Sequence, residues 1–125
     1  MSVPADYVVV DVPGILAVKA TISDEAGVRP DPDWNRQAAE SQFVFAEFLA
    51  AKGLIADGTI VERRPELIVR WKQLSEVGQQ FVKNDYHKWL ISIDRSRTTE
   101  DKMREKLERR WSKFVASNAL ITGTS

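Results

Sequence analysis

The sequence predicts an α+β fold in which three helices pack on a small antiparallel sheet made from the N-terminal strands and a central hairpin. Three observations lead there. β-branched runs fill residues 7–22, and an alternating, half-buried stretch covers 67–72. Apolar residues at helical spacing take over in 34–52, 75–93 and 98–117.

Tyr7, Val8, Val9 and Val10 read as a first strand, and residues 15–22 form a second apolar stretch. Val12-Pro13-Gly14 between them has turn chemistry, so two strands joined by a short turn are expected. A helical turn at 15–19 is the alternative. Residues 23–33 collect Asp, Glu, Gly and two Pro and read as an exposed loop.

Asp33 is the expected N-cap of the first helix, whose stretch 34–52 contains no Pro or Gly. Trp34, Ala38, Phe45, Phe48 and Leu49 make its apolar face, opposite Arg36, Gln37, Glu40 and Glu47. Gly53 should end it.

Asp57-Gly58 marks a turn, and 59–73 then alternates like sheet. Leu67, Val69 and Trp71 share one face, while Ile68, Arg70 and Lys72 share the other. Pro65 cannot donate to a ladder, which puts Arg63-Arg64-Pro65 at a hairpin tip with 59–62 as the first arm.

Ser75 caps the next expected helix, which runs to Ile93 through Val77, Phe81, Val82, Tyr86, Trp89 and Leu90. Gly78 weakens its first turn by up to about 1 kcal/mol relative to Ala. After a break at 94–97, Thr98 opens the last helix, with Asp101 completing an imperfect capping box. Met103, Leu107, Trp111, Phe114 and Val115 form its stripe; Glu100, Arg104 and Glu108 form a surface ladder. Residues 1–117 are expected to form one globular domain, with 118–125 a disordered tail. All four Trp read as core, rather than as a stacking platform.

Composition narrows the function. With 125 residues, 43% apolar content and no Cys, the chain can build a core but holds no disulfide, thiol nucleophile or Cys-based zinc site. No basic-then-apolar signal opens it and no apolar run approaches a spanning length, so a cytoplasmic protein without membrane contact is expected. His87 is the only histidine, and Asp85 two positions away on a helix cannot orient it as a base. Neither a phosphate-binding glycine loop nor a nucleophile elbow occurs. A non-enzyme without cofactor or metal is expected.

Charge is zero overall but divided. Residues 1–60 hold 4 Lys+Arg against 9 Asp+Glu, net −5, while residues 61–125 hold 14 against 9, net +5. Arg63 and Arg64 at the expected tip, with Arg70 and Lys72 on the outer strand face, are the candidate partner-binding residues.

A helix ending Leu49-Ala50-Ala51-Lys52-Gly53-Leu54-Ile55, then a hairpin, then Leu74-Ser75-Glu76-Val77-Gly78-Gln79-Gln80-Phe81 resembles part of a winged-helix DNA-binding domain over residues 43–83. That resemblance implies Arg63 and Arg64 reaching duplex DNA from a wing. Two features rank it second: strands and loop precede Trp34 where that family has helices, and Glu40 and Glu47 repel phosphates. Residues 45–107, with Lys88-Trp89-Leu90 and Ile93-Asp94-Arg95, resemble a group of short bacterial proteins of unassigned function. The reading that ranks first is a small cytoplasmic protein that binds another protein, in concrete form an immunity or antitoxin-type inhibitor. DNA binding is the alternative.

Overall fold

The computed structural model describes residues 4–56, 61–94 and 99–122. Val8–Asp11 form strand β1, with Val9 and Val10 buried. The chain then enters a six-residue helix, α1 (Val12–Ala17), where a strand-to-strand turn was expected. Asp11 is the reason. Its Oδ1 accepts from the Gly14 amide at 2.9 Å, and Pro13 sits in the first turn, where a missing N–H costs nothing.

The expected loop that follows is a β-hairpin. Strands β2 (Thr21–Asp24) and β3 (Gly27–Pro30) pair antiparallel, from Thr21 opposite Pro30 to Asp24 opposite Gly27. Gly27, at φ +111°, supplies the backbone that a two-residue connection demands. Asp24 accepts from the Ala26 amide at 2.8 Å and also pairs with Arg29. Polar and charged residues spent on the turn and its brace disguise these strands in the sequence.

Helix α2 (Pro32–Ala51) starts two residues earlier than expected. Asp31, not Asp33, is the N-cap and accepts from the Trp34 amide at 3.3 Å, with Pro32 pre-set in the first turn. Gly53, at φ +69°, ends the helix as expected.

Strand β4 (Ile68–Arg70) alternates as the sequence says, Leu67 and Val69 buried, Ile68 and Arg70 half-buried. Its partner differs. It pairs antiparallel with β1, Val10 opposite Val69 and Asp11 opposite Ile68, and not with a neighbouring arm. Positions 59 and 60 of the expected arm lie outside the described residues, and 61–64 carry no strand. Among the described residues a long-range pair stands in place of the expected wing hairpin, and it places the buried Val9 and Val10 of β1 beside Val69. Two separate two-stranded sheets result.

A 3-10 turn (Trp71–Gln73) leads to α3 (Glu76–Phe81), a π-helical turn (Val82–Tyr86) and α4 (His87–Asp94). Ser75 caps α3 as expected, accepting from the Gly78 amide at 3.1 Å. Helix α5 (Glu100–Thr122) closes the fold. The expected turn at 57–58, the cap at Thr98 and most of the break at 94–97 fall outside the described residues.

The core sits where α2, α3, α4 and α5 meet. Phe45 stacks on Tyr86 at 4.2 Å between ring centroids and lies 5.4 Å from Trp89, while Phe81 meets both Trp111 and Phe114 at 5.3 Å. Trp89 is fully buried and Trp71 and Trp111 are half-buried, but Trp34 is 39% exposed. Val77 and Val115, expected in stripes, are exposed too. The first turn of α3 offers Gly78, not Val77, to its neighbour.

Candidate functional site

The four basic candidates do not converge on one surface. Arg63 folds back between two helices, donating to Glu47 of α2 at 2.8 and 3.0 Å and to Glu100 of α5 at 2.5 Å. Its guanidinium also lies over the Phe43 ring at 5.7 Å. These hydrogen bonds from Arg63 hold the Glu47 and Glu100 carboxyls below their ordinary range. Arg64 pairs with Glu62. Arg70 donates to the Asp6 carbonyl at 3.1 Å, and Lys72 pairs with the Asp6 carboxylate at 3.1 Å. Each cation is thus engaged within the chain: Arg63 and Arg64 by glutamates, Arg70 and Lys72 by Asp6 just ahead of β1.

A site that sequence reasoning missed lies on the other side of α2. Ile15 of α1, Trp34 and Ala38 of α2, and Leu90 and Ile91 of α4 line an apolar groove of about 360 Å³. Asn35 fixes where Ile15 stands. Its Nδ2 donates to both the Ile15 and Val18 carbonyls at 2.8 Å, which clamps the end of α1 to the start of α2. Asp31 then donates its amide to the Ala20 carbonyl at 2.8 Å, which closes the base of the β2–β3 hairpin between α1 and α2, the helices that carry Ile15 and Trp34.

The polar groups of the groove are mostly occupied. The Tyr86 hydroxyl donates to Gln42 Oε1 at 2.9 Å, and burial pushes that phenol above its ordinary value. Ser41 donates to the Ala38 carbonyl at 2.6 Å. What remains for a ligand is apolar wall, with His87 and Gln37 at the lining. His87 is exposed and no ion pair engages it among the described residues. Such a groove holds an apolar group by burial, worth about 1.5–3 kcal/mol for one large side chain.

The groove is hard to read from the sequence because Ile15, Trp34 and Ile91 are far apart in it and each resembles an ordinary core residue. The available signal was Trp34 itself, an aromatic beside a cap, where helices often lie at the surface.

Among the described residues no three His, Asp or Glu side chains gather as metal ligands, and no helix is long and apolar enough to cross a membrane. No family model matches the chain, and neither a curated protein nor a solved structure matches it.

Proposed function

We propose that this is a cytoplasmic, non-catalytic protein that binds another protein through the groove and the adjoining β2–β3 hairpin. An immunity or antitoxin-type inhibitor is the concrete form. One observation carries the reading. Of the eight large hydrophobic residues exposed among those described, Leu16, Val18, Val28, Trp34 and Ile91 belong to α1, the hairpin, the start of α2 and the groove wall. Val28 alone is 70% exposed. Exposed apolar residues on consecutive elements that flank an apolar groove support an interaction surface, whereas single ones are ordinary.

The hairpin adds a recognition mode. Its strands pair only with each other among the described residues, so their outer edges offer main-chain donors and acceptors. A two-stranded hairpin is marginal alone, and a third strand from a partner would complete it. The expected partner therefore presents an extended segment along this edge and one large apolar side chain to the groove.

A photoreactive amino acid placed at position 28 or 91 in the native host tests this. Both positions should capture the same protein, and position 115 on α5 should not. With that partner purified, Ile91→Glu should weaken binding by about tenfold or more. Equal capture at all three positions, or unchanged affinity of a folded Ile91→Glu variant, overturns the reading.

A further inference from the structure

A second groove, of opposite chemistry, runs between α4 and α5. It measures about 250 Å³ and is lined by Asp85, Ser92, Lys106, Arg109, Arg110 and Lys113. The four cations follow one stripe of α5, at spacings of three, one and three residues, and so span about 10 Å of helix. The Lys106 ammonium donates to the Ser92 carbonyl at 3.0 Å, which fixes it in the groove without cancelling its charge. Arg110 meets Asp85 at 3.4 Å, a long and weak contact, and Arg109 meets Glu105 at 2.5 Å. Lys113 is in neither pair. Four positive charges thus face one lining carboxylate.

We propose that this groove binds a small ligand through a phosphate group. Two guanidiniums supply planar donors suited to phosphate oxygens, and two ammonium groups supply charge. A compact anion fits better than a polyanion. Glu100, Asp101, Glu105 and Glu108 are interspersed on the first half of α5, so the positive strip does not continue along the helix. The cations instead converge on a concave site.

Calorimetric titration with inorganic pyrophosphate tests the assignment on the whole chain. Binding below about 1 mM is expected at physiological salt, where exposed charges are screened beyond about 8 Å. Lys113→Gln should weaken it by about tenfold, as loss of a charge-assisted contact does. Asp85→Asn should strengthen it severalfold, because the variant removes the carboxylate that competes for Arg110. Arg29→Gln/Arg36→Gln, far away in the sequence, should change nothing. Equal weakening by the two cation variants, or weaker binding by a folded Asp85→Asn protein, overturns the proposal. So does tighter binding of a 12-base-pair duplex than of pyrophosphate when Lys113→Gln abolishes it, since the groove would then serve nucleic acid.

Discussion

The Trp89 indole Nε1 donates to the Met103 carbonyl at 3.1 Å, with both residues fully buried. This bond ties α4 to the first turns of α5 across residues 95–98, and the Phe45 ring packs beside the indole. Trp89→Phe keeps most of the apolar contact and leaves the Met103 carbonyl in the helical ladder of α5, so loss of the extra hydrogen bond should cost about 0.5–1.5 kcal/mol. Trp89→Ala adds a cavity and should cost about 3–5 kcal/mol. Urea denaturation of the three proteins measures both, and a Trp89→Phe protein as stable as the wild type would show that the hydrogen bond contributes nothing.

Gly78 makes a prediction whose sign separates two physical effects. Helix propensity alone says that Gly78→Ala stabilises, by up to about 1 kcal/mol. A Cβ there would lie 2.8 Å from the Leu54 carbonyl oxygen, and that oxygen accepts the Ser75 amide at 2.8 Å. Neither main-chain group can give way cheaply. The substitution should therefore destabilise by about 1–3 kcal/mol, the range of overpacked sites. A higher melting temperature would mean that α3 and the 54–56 segment separate without loss.

These two sites show where the sequence is readable. Ser75, Gly53 and the alternation of Leu67 with Val69 act within a few residues of themselves, so their caps and faces are legible. That β1 and β4 share a sheet follows from the sequence, but their direct pairing and register do not, since Val69 meets Val10 across nearly half the chain and nothing local encodes that choice. Val-Pro-Gly can open either a turn or a helix, and Asp11, one position upstream, decides by capping. Arg63 looked free because Glu47 and Glu100 lie on other elements. The apolar groove needs α1, α2 and α4 in place before it exists, and only Trp34, an aromatic beside a cap, hints at it in the sequence.

Arg63 should make stability depend on pH. Glu47 and Glu100 titrate below their ordinary 4.5 because Arg63 donates to them. Depressed carboxylate values stabilise the fold above about 4.5, and that gain is lost as pH falls through the folded-state values. The side chains are 31–38% exposed, so solvent screening keeps the effect small. Arg63→Ala should cost about 0.5–1 kcal/mol near neutral pH, and Arg64→Ala less than about 0.5 kcal/mol. The Arg63 difference should shrink toward zero well below 4.5 and in molar salt. A difference that persists under both conditions would assign the effect to packing on Phe43.

The same ion pairs decide what Arg63 and Arg64 can do for duplex DNA. A phosphate-binding arginine releases counterions, and each neutralised phosphate steepens the fall of log affinity with log salt by about 0.9. Arg63 already faces two carboxylates and Arg64 a third. To engage a phosphate they would first have to leave these partners, and the acids exposed behind them would repel the duplex. Arg63→Ala/Arg64→Ala should therefore change the salt slope by much less than the two charges removed. Wild-type affinity should stay within the non-specific range of about 10⁻⁴–10⁻⁶ M at physiological salt. A fluorescence-anisotropy titration of duplex against both proteins, from low salt to 200 mM, measures slope and affinity together. Sub-micromolar binding that survives the high-salt end and is lost in the double variant would place these arginines on DNA and remove the protein-binding reading from first rank.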